Sequence, residues 1–182
     1  GLRPLYTLHG DEPLLIQEAA DAIRSRARQE GCAEREVFTV ERGFNWQILL
    51  SSGNSLSLFS SRRLVEVRIP SGKPGNDGSQ ALQEYCARLP ADTVTLAICP
   101  KLDKTAQAGK WFKAMEQVGV VLPFFPVERA QLPAWIGARL ARQSQRAEPV
   151  VLQFLADQVE GNLLAAFQEV QKLALLFPAG QL

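Results

Sequence analysis

Five short apolar runs, each separated from the next by a helical pattern, fill residues 1–126 and then stop at Pro126. Such alternation points to a parallel sheet, because a crossover between parallel neighbours needs a connection long enough to hold a helix. The runs are residues 5–8, 36–40, 63–69, 94–99 and 120–125. The fourth is continuously apolar between Asp92 and Pro100, as expected of a strand buried on both faces. Gly10 stops the first run. Asp11 is placed to cap a helix whose early Pro13 is tolerated, since first-turn amides have no intrahelical partner. Leu15, Ala19, Ala22, Ile23 and Ala27 then recur at helical spacing as far as Gly31. Asn45 is placed to cap a helix with Trp46, Leu49 and Leu50 on one face. Residues 70–79, rich in glycine and proline, read as a loop. Helices over 80–89 and 105–118 follow, the second burying Trp111, Phe112, Met115 and Val118. After Pro126 the strand patterns end. Three helices remain, one from Gln131 with Trp135, Ile136 and Leu140 inward, one over 148–159, and one over 163–177. The predicted fold is a three-layer α/β domain over 1–126 with a mostly parallel five-stranded sheet, then a small three-helix domain over 127–182.

Composition narrows the function classes. The chain has 182 residues, 46% of them hydrophobic and 21% charged, which excludes a disordered tail or a disulfide-dense mini-protein. The net charge of +1 is spread evenly over both stretches, so no whole-molecule field holds a nucleic-acid backbone. The largest basic groups are Arg24-Arg26-Arg28, read as a solvated helix face, and Arg62-Arg63. Cys32, Cys86 and Cys99 are odd in number and form no CxxC pair, which argues against a disulfide framework or a zinc site and fits a reducing cytoplasm. No apolar run approaches the roughly 18 residues of a membrane helix, and no signal peptide opens the chain. No membrane partner is expected. The only Met is Met115, and the chain ends just after a helical pattern, so it reads as a fragment of a longer protein. No heptad run is long enough for a coiled coil, so the fragment alone is expected to be monomeric.

A strand, a glycine and a helix form the setting in which a nucleotide hydrolase of this class keeps its phosphate loop. That loop needs glycine-presented amides and a Lys. Here the segment is His9-Gly10-Asp11-Glu12-Pro13-Leu14-Leu15-Ile16. It lacks the second glycine, the Lys and the Ser/Thr. Asp11 and Glu12 put negative charge where phosphate would sit, and Pro13 removes an amide. Gly72-Lys73 is the one Gly-Lys pair, and Pro74 follows it in what reads as an exposed loop. The fourth strand ends in Cys99-Pro100-Lys101 rather than in acidic residues, and Asp103 reads as a helix cap. His9 is the sole histidine, which removes any His-based metal cluster, and it reads as a strand-end polar residue. No catalytic residue, metal ligand or cofactor site is assigned. The competing reading is a divergent P-loop NTPase or nucleotide kinase with an unrecognised site.

The opening strand with HGDEPLLIQEAADAIR, the later GNSLSLFSSRRLVEVR, and the closing QLPAWIGARLARQ and EGNLLAAFQEVQKLALLFP resemble the delta subunit of the bacterial DNA polymerase III clamp loader. The resemblance runs through essentially the whole chain. It implies an AAA+ module with a RecA-like α/β domain over 1–126 and a helical lid over 127–182. A C-terminal collar domain would follow and is absent here. It also implies a function in DNA replication: binding the beta sliding clamp and holding one interface of the ring open for loading onto primed DNA. Other loader subunits hydrolyse ATP in that family. By the same resemblance this chain is a non-catalytic part of a DNA-directed DNA polymerase, a nucleotidyltransferase holoenzyme, and meets the gamma/tau and delta prime subunits through the collar. DNA binding is expected only within the full assembly. In ATP-binding relatives the lid carries an Arg in a Gly-Asn/Ser-Leu-Arg motif; in Gly161-Asn162-Leu163-Leu164 that place is Leu164. The clamp-contacting motif maps onto Leu56-Ser57-Leu58-Phe59, with Leu58 and Phe59 as the pair that enters an apolar pocket on the clamp. Polar stretches flank the pair, so it can project as an anchor. Spacing alone favours the other arrangement, in which both side chains fold under the preceding helix as core.

Overall fold

A computed structural model describes residues 1–54, 62–159 and 161–182. Five strands form one sheet: β1 (Leu5–Gly10), β2 (Cys32–Thr39), β3 (Arg62–Arg68), β4 (Thr93–Pro100) and β5 (Val120–Phe124). Their order is β2-β3-β4-β1-β5 and every neighbouring pair is parallel. The helices between them are α1 (Pro13–Gln29), α2 (Trp46–Asn54), α3 (Gly75–Ala87), the single turn α4 (Lys104–Gln107) and α5 (Lys110–Val118). The period of two along each strand sorts its side chains onto two faces. On one face Leu8, Leu64, Val94 and Leu96 pack with Ala20, Ile23 and Ala27 of α1. On the other, Leu5, Val65, Val67, Ile69, Ala97 and Cys99 meet α2, α3 and α5 through Leu49, Leu82, Tyr85, Phe112 and Met115. The domain is therefore three-layered, α/β/α, as the sequence pattern predicts.

The structure departs from the pattern at several boundaries. β2 begins at Cys32, earlier than the apolar run at 36–40, and only Cys32 and Phe38 along it are buried. An edge strand with so polar a surface has no alternation for a pattern to reveal. α3 begins at Gly75, inside the segment read as a loop. Gly78 is a packing requirement there, because a Cβ on it would lie 2.4 Å from Cζ2 of Trp46. The expected long helix over 105–118 is two helices, broken between Gln107 and Lys110. Asp103 caps the first of them, its Oδ1 accepting from the Ala106 amide at 2.7 Å, as its position suggested.

Contacts divide the chain into two compact units, Gly1–Phe124 and Phe125–Leu182. In the second, α6 (Leu132–Arg142), α7 (Pro149–Gln158) and α8 (Leu163–Leu176) bury Leu132, Ile136, Leu140, Ala156, Leu163 and Val170. Strands do not end at Pro126. A two-residue parallel bridge joins β6 (Gln145–Arg146) to β7 (Gly180–Gln181). Gln145 is wholly buried, and its Nε2 donates to the carbonyls of Leu173 and Phe177, both at 3.0 Å. This primary amide adds a second donor to the Leu173 carbonyl, which already accepts from the Phe177 amide at 3.0 Å, and supplies a donor to the Phe177 carbonyl just past α8.

Candidate functional site

β1 and β4 are neighbours whose following helices cover opposite faces of the sheet. The crevice beyond their ends is where an open parallel sheet holds a ligand. A 410 Å³ cavity opens there, lined by residues including Gly10, Gln17, Arg24, Arg68 and Ile98. Its anion-binding groups are already engaged. The Asp11 amide donates to the Phe124 carbonyl at 3.2 Å. Glu12, rather than the expected Asp11, caps α1, its Oε1 accepting from the Leu14 amide at 3.3 Å. Pro13 has no amide to offer. Asp11 instead pairs with Lys101 Nζ at 2.9 Å, joining the ends of β1 and β4. Gly10 is explained by β5: its φ is +151°, and a Cβ there would lie 1.9 Å from the Phe124 carbonyl oxygen. The chain's own carboxylate thus sits at the helix entrance that a phosphate would need.

Behind this crevice lies an ion cluster that the sequence did not reveal. Glu66 of β3 is fully buried on the α1 face. It accepts from Arg24 Nη2 at 2.8 Å, Arg35 Nη2 at 2.8 Å and Arg68 Nε at 2.7 Å. Asp21 holds the other side of Arg24 at 2.7 Å. Arg24 is therefore buried and paired, not part of a solvated basic face; Arg26 pairs with Glu30 at 2.8 Å on the exposed side. Burial alone would push the Glu66 carboxyl up, but hydrogen bonds from Arg24, Arg68 and Arg35 outweigh it and hold the pKa at about 2. The available signal was a Glu flanked by Val65 and Val67 inside an apolar run, since a buried carboxylate requires partners.

His9 is buried edge-on against Phe112, ring centroids 5.6 Å apart, and burial lowers its pKa. Lys73 borders an 870 Å³ cleft with Arg42, Glu41 and Asp77, where both charge signs mix. The three cysteines are buried and free, with Cys86 and Cys99 pushed up to about 12 by burial. Among the described residues no group of side chains is arranged to hold a metal, and no helix is long and apolar enough to cross a membrane. Leu164 is half exposed at the start of α8, which Asn162 caps by accepting from the Ala165 amide at 3.0 Å.

Leu56, Ser57, Leu58 and Phe59 lie outside the described residues. Their flanks are described. α2 ends at Asn54 and β3 starts at Arg62. Arg62 and Arg63 pair in register with Cys32 of β2 and Thr93 of β4, the first residues of those strands. The flank that opens β3 is thus at the end of the sheet opposite Gly10, which pairs with Pro100 and Phe124 at their strands' ends.

A family model for the DNA polymerase III delta subunit matches residues 6–125. The chain belongs to the DNA polymerase III delta-subunit family. It is 33% identical over 182 residues to the delta subunit of Escherichia coli K12, covering 100% of this chain and 53% of that protein. Against the Haemophilus influenzae delta subunit it is 29% identical over 181 residues, 98% of this chain and 52% of the relative. The chain therefore spans about half the length of the curated relatives it matches. Among solved structures, the Bacillus subtilis clamp loader delta protein aligns over 98% of this chain and 56% of its own, with a TM-score of 0.71 at 21% identity. The Thermotoga maritima RuvB Holliday junction branch migration motor shares the fold more distantly, at a TM-score of 0.56 and 11% identity over 92% of this chain and 53% of its own.

Proposed function

We propose that this chain is the clamp-binding part of a clamp-loader delta subunit: Leu58 and Phe59 enter an apolar pocket on the beta sliding clamp and hold one ring interface open, without ATP hydrolysis by this chain. The observation that carries the reading is the family match over residues 6–125, which includes Leu56-Ser57-Leu58-Phe59. A compact apolar pair in a polar frame is the type of anchor a protein pocket takes. The absence of ATP chemistry is supported by the engaged amides and the Glu12 cap at the entrance to α1. In a cell the chain would work in the cytoplasm as a non-catalytic replication subunit. Contacts to gamma/tau and delta prime would come from a further collar domain, and primed DNA would enter only in the full assembly.

Mixing this chain with its own organism's sliding clamp on a sizing column tests the binding. Co-elution is expected, and separate elution at micromolar concentration contradicts it. Calorimetry with magnesium-ATP separates this reading from a divergent NTPase or kinase. No saturable heat is expected, and micromolar binding would overturn the nucleotide-free part of the proposal.

A further inference from the structure

Arg63, the second residue of β3, is nearly buried, its side chain 11% exposed. Its guanidinium reaches three other elements. Nη2 donates to the Ser52 carbonyl and Nη1 to Ser52 Oγ at 3.4 Å, both in the last turn of α2. Nε donates to Thr93 Oγ1 of β4 at 3.2 Å, and Nη1 lies 3.9 Å from Glu36 Oε2 of β2. Ser52 Oγ donates to the same Glu36 oxygen at 2.5 Å, closing the network. Ser52 precedes residues 55–61 and Arg63 follows them, so one planar group joins the backbone on both sides of that segment.

Each contact has a physical reason. The Ser52 carbonyl belongs to the last turn of a helix, whose carbonyls lack intrahelical donors and favour a nearby cation. A guanidinium presents donors in a fixed fork, so it can meet Ser52 and Thr93 together, whereas a Lys ammonium is a single point charge on a flexible stem. Fixing both ends of a segment reduces the conformational freedom that binding would otherwise have to remove. We infer that Arg63 is a positioning residue for clamp binding: by tying Ser52 to Glu36 and Thr93, it sets where the segment carrying Leu58 and Phe59 leaves and rejoins the domain. This rests on the Leu58-Phe59 contact proposed above.

The test uses Arg63→Lys and Glu36→Ala, each in the natural sequence and in a Leu58→Ala, Phe59→Ala background. Clamp affinity is read by calorimetry at a temperature where melting curves show the variants folded, and amide exchange is read along the chain. Losing part of a charge-assisted network should weaken clamp binding about tenfold in Arg63→Lys and about threefold in Glu36→Ala. Faster exchange should be confined to residues 51–63. In the Leu58→Ala, Phe59→Ala background the Arg63 change should cost no further affinity, because the pair it positions is gone. Should Arg63→Lys fail to fold, Glu36→Ala decides, since Glu36 is half exposed and its loss leaves no buried gap. Natural affinity in the folded Arg63 or Glu36 variant, with binding lost in the Leu58→Ala, Phe59→Ala protein, overturns the positioning role alone. Exchange that accelerates uniformly along the chain assigns Arg63 to general stability and also overturns it. Natural affinity in the Leu58→Ala, Phe59→Ala protein overturns the contact and the positioning role together.

Discussion

Where β1 gives way to α1, polar groups satisfy one another. Asp11 meets Lys101, Glu12 caps Leu14, and the Asp11 amide meets Phe124. At the opposite end of the sheet, where β3 begins, polar groups join backbone ends instead, with Arg63 binding Ser52 and Thr93 across residues 55–61. The two arrangements use the same chemistry for different ends. Donors that are already paired have little left for a phosphate. Donors at the start of β3 tie that end of the strand to α2 and β4. One parallel sheet can thus lose a ligand site at one end and support a protein contact at the other, which is the division proposed for this chain.

β3 runs from one end toward the other and carries Glu66. The largest effect should come from Glu66→Gln, which leaves Arg24 buried with only the Asp21 carboxylate as its counter-charge. A loss of about 3–5 kcal/mol in urea unfolding is expected, as for other broken buried ion pairs. A change under about 1 kcal/mol would show that the cluster does not hold β3 to α1. The same carboxyl predicts an acid limb. Its folded pKa is held at about 2, below the ordinary carboxylate value of 4.5, so the unfolded chain binds more protons between those values. The stabilisation is fully present above pH 4.5 and is lost as pH falls toward 2. Urea midpoints measured across that window should fall, and should fall less steeply in Glu66→Gln.

Changes at the α1 entrance should be milder and should sharpen the contrast. Glu12→Ala removes a cap and should cost about 0.5–1 kcal/mol. Magnesium-ATP should still give no saturable heat, because Pro13 and the Asp11 amide remain unavailable. ATP binding gained by this variant would show that the Glu12 carboxylate alone had closed the site. Lys101→Ala is expected to be smallest, within about 0.5 kcal/mol by thermal melting, because an exposed ion pair contributes little. A larger loss would mean that the Asp11 pair holds the ends of β1 and β4 together.

The sheet was legible because apolar runs such as 94–99 stand out between turn residues, and Asp103 was legible as a cap from its place before a helix. What stayed hidden depended on partners distant in sequence. Arg24 looked like one of three solvated arginines, yet its counter-charge is Glu66, on another element. Gly75 and Gly78 looked like loop residues because propensity cannot register that Trp46 needs the space. Cys32–Thr39 showed no alternation because its edge position leaves most side chains in water. At the candidate site, the residue types that a phosphate loop needs and this segment lacks, a second glycine, a Lys and a Ser/Thr, were readable directly. Glu12 rather than Asp11 as the cap depended on backbone geometry, and the bracing by Arg63 on contacts to α2, β4 and β2.

The most direct measurement is calorimetric titration of the sliding clamp with the natural chain and with the Leu58→Ala, Phe59→Ala variant, alongside their melting curves. Burying a Leu or Phe side chain contributes roughly 1.5–3 kcal/mol, so truncating both should cost about 3–5 kcal/mol. That is on the order of a hundred- to several-thousand-fold in affinity. The expected result is lost clamp binding with an unchanged melting temperature. A melting temperature lowered by several degrees would place the pair in the core instead. Natural clamp affinity in a well-folded double variant would contradict the assignment of Leu58 and Phe59 as the contact.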